Sequence, residues 1–248
     1  MRSAPGSRTL AGMVRRALLL LGAALATLTL DAAAVATPPA PAEAAYPLDS
    51  LSRQLAPGTP FGCPDVELVD YRGDAIRFRP HARVIPEFKE RLEKLSAVVA
   101  AVATEIYGRP PLTLVDLGTF SCRRMEGHPR WLSEHGLGNA IDVAGFDFGP
   151  LPKGATLPAG LDRAFKNGFE VRVLTHWKSK TGHAAVHARF LKTLARRLIA
   201  RSDIFRVLLG PGYPAHGNHF HFDMAPFRLV QIFEDGEVLK GEPPPGAP

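Results

Sequence analysis

Histidine is the residue through which this chain most plainly offers chemistry. Nine are present, and four of them fall in two compact segments. One segment is His216-Gly217-Asn218-His219-Phe220-His221-Phe222-Asp223. In an extended strand, residues i and i+2 face the same way. His219, His221 and Asp223 would then share a polar face, with Phe220 and Phe222 turned to a core. The other segment runs from Ser133 to Asp142 and holds His135. His135 and Asp142 are separated by an odd number of residues, which on one straight strand would put them on opposite faces. Gly136 and Gly138 permit a turn between them, so His135 could fold over a strand that begins near Ala140. Catalytic zinc takes three protein ligands from His, Asp or Glu and leaves a fourth position for water. His135, Asp142 and one of His219 and His221 make such a set, and the remaining histidine is free to move protons. His81, His128, His183 and His187 read as surface residues, and His176 beside Trp177 as the edge of the core.

The elements that must carry these segments read as an α+β domain, with a small, mainly antiparallel sheet flanked by helices. Residues 86–107 predict the clearest helix: Phe88, Leu92, Leu95, Val99 and Val102 recur at helical spacing, Pro86 suits the first turn and Gly108 follows the end. Residues 184–201 predict a second helix, with Phe190, Leu194 and Leu198 on one face. Strands are expected at 112–120, 140–148, 169–176, 205–210 and 219–225. Residues 66–78 read as a hairpin turning near Arg72-Gly73-Asp74.

The 248 residues are 46% hydrophobic and 22% charged, an ordinary globular balance. Only the N-terminus approaches a membrane span. Arg2, Arg8, Arg15 and Arg16 precede the apolar run 17–30, and an Ala-x-Ala site follows. That run reaches only about 21 Å as a helix, short of a roughly 30 Å hydrocarbon core. Residues 1–36 therefore read as a cleaved signal peptide, with Ala44 as the alternative end, and no stable membrane insertion is expected after cleavage. The formal charge of +6 falls to +3 once four Arg and one Asp are removed with residues 1–36, too weak to argue for nucleic acid. Residues 37–60 read as a Pro/Ala-rich linker, 61–240 as the folded domain and 241–248 as a disordered tail. Export to the periplasm or cell envelope would place Cys63 and Cys122 in an oxidising compartment and predicts a disulfide between them.

SEHGLGNAID resembles the Ser-x-His-x-x-Gly-x-Ala-x-Asp signature of the zinc peptidase group that includes D-Ala-D-Ala peptidases, lysostaphin-type enzymes and hedgehog domains. His219-Phe220-His221 resembles that group's closing His-x-His. More specifically, Gly62-Cys63-Pro64, Ser121-Cys122-Arg123, the SEHGLGNAIDVAGF block and His219-Phe220-His221-Phe222-Asp223-Met224 are similar to the bacterial extensin-like C-terminal domain family. The Ser202-Asp203-Ile204-Phe205 stretch lacks a cysteine that members of that family often carry. The resemblance implies that His135, Asp142 and His221 bind zinc on the sheet, with His219 beside it as the proton-handling histidine and His216 sharing that role. It implies that Ser133 and Arg123 contact substrate, Arg123 because its planar fork suits a carboxylate. The implied activity is that of an exported zinc metallopeptidase, a D,D-endopeptidase or D,D-carboxypeptidase, with peptidoglycan stem peptides as substrate. The competing expectation is a non-catalytic, zinc-containing module that binds the cell wall.

Overall fold

The structure, a computed structural model, describes residues 46–58, 60–235 and 239–240. The expected signal peptide and C-terminal tail lie outside the described residues. The chain forms β1 (Val69–Tyr71), β2 (Arg77–Arg79), β3 (Ala82–Val84), α1 (Pro86–Tyr107), β4 (Thr113–Gly118), β5 (Arg124–Met125), β6 (His128–Leu132) and β7 (Ala140–Phe148). It continues through β8 (Phe169–Arg172), the single turn α2 (Val173–His176), α3 (Gly182–Ile199), β9 (Val207–Leu209), β10 (Phe220–Asp223), β11 (Leu229–Gln231) and β12 (Leu239–Lys240). The main sheet has the order β12-β11-β9-β10-β7-β4-β2, with β8 also paired to β7. Among the described residues only β2/β4 and β9/β11 are parallel pairs. The architecture is α+β with a mainly antiparallel sheet, larger than expected at eight strands.

Helix α1 starts where Pro86 meets an extended Ile85 and stops where Gly108 takes a left-handed φ of 75°, its N–H donating to the Thr104 carbonyl. Its buried stripe of Phe88, Leu92, Leu95, Val99 and Val102 joins the buried stripe of α3, which includes Phe190, Leu191, Leu194 and Leu198. Each such side chain contributes about 1.5–3 kcal/mol on burial. Together the two stripes cover one face of the sheet, and the other face is left for the site.

β7 lies at the centre of the sheet, and its alternation changes phase. Ile141 and Val143 face the core, then Phe146 and Phe148 do, because the register against β4 slips between Val115↔Gly145 and Asp116↔Val143. The additional residue, Ala144, is a β-bulge. Both halves of β7 therefore bury their large side chains, while Asp142 and Asp147 stay on the opposite face. Asp147 accepts from Arg172 at 2.6 Å and from Arg79 at 2.7 Å.

Four expectations are corrected. First, residues 66–78 are not a two-strand hairpin. β1 pairs antiparallel with β3, and β2 runs parallel along the edge of β4, because Ile76 and Phe78 are drawn into the core. Second, residues 169–176 form a strand only to Arg172. The Arg172 N–H donates to His176 Nδ1 at 2.8 Å and closes a helical turn. Third, part of the expected linker is packed. Tyr46 is buried, Arg53 is buried and Gln54 bridges to Trp131. Fourth, His187, read as a surface residue, is also buried, with Nδ1 2.9 Å from the Tyr107 hydroxyl. The β5–β6 hairpin had no reading in the sequence.

Cys63 and Cys122 form a disulfide with a Cα–Cα distance of 5.8 Å, spanning 59 positions. Among the described residues no helix is long and apolar enough to cross a membrane.

Asp116, on the core face of β4, is buried, and its carboxylate has no side-chain partner, with only the backbone of Gly118 and of Asp116 itself near enough to favour its ionised form. Burial, with the Asp142 charge in addition, pushes its pKa up to about 7. The folded pKa lies above the unfolded one, so the unfolded state releases the proton first and stability falls as pH rises from about 4 to about 7. Asp116→Asn removes that loss. Urea unfolding of chelator-treated protein should show the variant gaining on the parent across this window, by on the order of 4 kcal/mol in total, with no difference below it.

Candidate metal centre

His135 sits on a single 3₁₀ turn, Glu134–Leu137, that joins β6 to β7. Ser133 opens the turn by accepting the His135 N–H on its side chain at 3.3 Å, and Gly138 closes it with a φ of 60°. Gly136 is required inside it for a different reason. A Cβ there would lie 2.9 Å from Cys63 Sγ and 3.0 Å from Leu132 Cδ1. The disulfide thus passes directly behind the turn that carries His135.

Asp142 projects from β7, and directly across the pair His221 projects from β10. Phe220 and Phe222 are buried in the core beneath. His135 Nε2, one Asp142 oxygen and His221 Nδ1 converge. Nε2 of His135 is 3.2 Å from His221 Nδ1 and 3.2 Å from Asp142 Oδ2, and His221 Nδ1 is 2.8 Å from Asp142 Oδ1. One ligand atom from each residue lies within 4.8 Å of the others, so the group could hold a metal ion.

The outer ring nitrogens are both tied. His135 Nδ1 lies 3.2 Å from the Thr119 carbonyl, and His221 Nε2 lies 2.7 Å from Asp223 Oδ2. A carbonyl and a carboxylate accept, so these outer nitrogens donate, which turns His135 Nε2 and His221 Nδ1 inward, where His221 Nδ1 hydrogen-bonds Asp142 Oδ1. Outer partners of this kind fix the tautomer and orientation of metal-ligating histidines. Asp223 is itself held, its Oδ1 accepting the Ala225 N–H at 2.8 Å. Burial works against a charge on His221, but the hydrogen bonds it donates to the Asp142 and Asp223 carboxylates overcome it and push its pKa up to about 10. Burial opposes ionisation of Asp142 too, yet His135 and His221 hold its carboxyl well below the usual range.

His219 lies just before β10, with Nε2 3.5 Å from Asp142 Oδ1 and Nδ1 donating to Asn218 Oδ1 at 2.7 Å. Burial lowers its pKa to about 4, leaving it neutral at pH 7. His216 packs its ring 4.8 Å from that of His219 and donates Nδ1–H to the Pro214 carbonyl at 2.7 Å. Ala215 before it has a φ of 62°, a left-handed conformation costly for a residue with a Cβ. Burial lowers the His216 pKa as well.

These residues open into a groove of about 500 Å³. Arg123 stands exposed at its rim, and Ser133 lines it while capping the 3₁₀ turn. The far wall is apolar. Val207, Leu209 and Ala225 form a second small cluster with Tyr213, Phe227 and Leu229. Val207 and Leu209 face this wall and Leu208 faces the main core, so the unbroken apolar run of β9 serves both sides of the sheet.

Glu134, beside His135, points away from the groove floor into a buried network that had no signal in the sequence. It pairs with Arg53 at 2.7 and 3.2 Å and accepts from Asn139 Nδ2 at 2.5 Å, and Asn139 Oδ1 accepts from the Tyr46 hydroxyl at 2.6 Å. Arg53 also donates to the carbonyls of Leu48 and Leu51. The Ala-Pro composition around these residues hides the contact, because a single buried ion pair has no periodicity.

Asp223→Asn should weaken divalent-metal affinity about 10–100-fold, since outer partners contribute on that scale. Chelator competition is the measurement, with an unchanged far-ultraviolet spectrum as the control for folding.

No curated protein matches the chain, and no solved structure does. A family model matches residues 51–153. The matched span includes both cysteines and the His135–Asp142 segment, and it ends before His219 and His221. Over those residues the chain is similar to the family described as extensin-like protein C-terminus.

Proposed function

We propose that this chain is an exported zinc-dependent peptidase that cleaves peptidoglycan stem peptides, at a D-amino-acid cross-link or a terminal D-Ala. The observation that carries the reading is the convergence of one nitrogen from each of two imidazoles and a carboxylate, with both outer ring nitrogens bound to acceptors. The donor set also fits zinc by size. Ligand atoms at about 2.0–2.1 Å from a tetrahedral ion are about 3.3 Å apart; His135 Nε2 lies 3.2 Å from His221 Nδ1 and 3.2 Å from Asp142 Oδ2, and His221 Nδ1 lies 2.8 Å from the other carboxylate oxygen, Oδ1. Nitrogen and oxygen donors of this kind suit zinc better than the all-oxygen cages of calcium or magnesium.

His135, Asp142 and His221 would hold the ion. Bound there, zinc would polarise a scissile carbonyl and lower the pKa of a water molecule toward about 7. Asp223 would remain an orienting group rather than a fourth ligand, because both its oxygens are occupied. That leaves a position open, as catalysis requires and a purely structural site does not. His219 is neutral at pH 7 and can accept a proton at the ring nitrogen facing Asp142. His216 stacks beside it and can support the same transfer. Arg123 at the rim would pair with a substrate carboxylate. Export is supported by the Cys63–Cys122 disulfide, since such bonds persist in oxidising compartments.

Digestion of purified peptidoglycan, read by mass spectrometry, tests the reading. Zinc-loaded protein should release muropeptides, and both chelator and His135→Ala should abolish release. His219→Ala should keep its zinc and lose about 10²–10⁴-fold in turnover. If folded, zinc-loaded protein gives no products, the chain is a wall-binding module instead.

A further inference from the structure

A second cavity adjoins the metal groove and shares Met125, Glu134 and Phe227 with it. Its volume is about 220 Å³. The segment 49–54, within the expected linker, forms one side, and Trp131 of β6 forms the other. The charges in its lining are consumed internally. Arg53 is paired with Glu134, and Asp49 with Arg206 at 2.5 and 3.1 Å. The groups left over are of another kind. Trp131 is half-buried and its indole N–H makes no hydrogen bond to the described residues, while the Ser50 hydroxyl and the Gln54 side-chain amide, both on exposed residues at the cavity rim, bond to none of them either and are open to a ligand or to water. Met125 and Phe227 supply apolar surface beside them.

A wall with unspent donors and acceptors, an aromatic ring and no free charge disfavours an ionic ligand, which would lose its hydration without gaining a counter-charge. It suits a neutral ring compound that carries hydroxyl and amide groups around its edge and C–H bonds on its face. We propose that this cavity is a saccharide subsite that takes an N-acetylhexosamine ring of the glycan to which the stem peptide is attached. The inference rests on the peptidase reading for the source of the sugar, but the recognition chemistry belongs to the cavity. Trp131 would lie against the sugar face, while Gln54 and Ser50 would bond its hydroxyl and acetamido groups. Because the two cavities share walls, the peptide would run directly from the sugar into the metal groove. The enzyme would therefore prefer glycan-linked peptide to free peptide.

The test is a titration of the full, zinc-loaded chain with chitotetraose and with the N-acetylglucosamine–N-acetylmuramic acid disaccharide. Trp131 and the buried Trp177 are the two tryptophans, so fluorescence can be assigned with Trp131→Phe. The expected result is a saturable change in Trp131 emission at millimolar sugar. By calorimetry, Gln54→Ala and Trp131→Ala should each bind about tenfold more weakly, and Trp131→Phe should bind nearly as the parent does. No saturable binding, or binding unchanged in both alanine variants, would overturn the subsite. In cleavage assays, Trp131→Ala should raise KM about tenfold for glycan-linked peptide and leave free tetrapeptide unaffected. Equal KM changes on both substrates would also overturn it. If neither substrate is cleaved, the peptidase reading fails, and the sugar titration still decides the subsite.

Discussion

Two imidazole nitrogens and a carboxylate are brought to one point, a donor set that would attract a cation. The rest of the structure serves to hold them there. Thr119 and Asp223 fix the rings from outside. The 3₁₀ turn bearing His135 is pressed against a disulfide, and its neighbour Glu134 is anchored to Arg53. A buried ion pair costs desolvation that its attraction barely repays. Here it locates a turn, a positional role that hydrophobic contact alone would fill less sharply.

The sheet solves a related problem. Its central strand must bury large side chains on one face over its whole length and still present Asp142 on the other. A strict alternation through β7 would have put either Val143 or Phe146 on the wrong side. The bulge at Ala144 resets the phase, and the two halves pair with β10 and β8 in turn. With Phe220 and Phe222 locked into the same core, His221 has no choice of direction. Rotating it away would require lifting two phenylalanines out of the core.

The groove follows from the same arrangement. β9 is apolar on both faces, so its outer face gives the metal centre a hydrophobic wall opposite the polar rim of the β5–β6 hairpin. Such a groove can hold an extended chain with apolar contact on one side and charge on the other. The segment from Tyr46 to Gln54 packs beside it, lining the adjoining cavity through residues 49–54, and makes the boundary between linker and domain a matter of contacts rather than composition.

The sequence by itself determined the helices α1 and α3, the strand identities of β4, β7, β9 and β10, the disulfide pair and the residues that could ligate a metal. These signals are local: helical spacing of apolar residues, i/i+2 alternation, and glycines where a turn must be tight. The residue spacing alone left His219 and His221 as alternatives; the register of β10 against β7 set His221 directly across from Asp142, with His219 Nε2 3.5 Å from the same carboxylate. The tertiary structure placed Asp223 behind the His221 ring, on Nε2, and paired β1 with β3. It also drew Arg53 and Tyr46 out of a Pro/Ala-rich segment to support the site. Each of these is a long-range pairing between single residues, and a single pairing leaves no period or composition in a sequence. Only the folded chain brings the two ends of such a contact together.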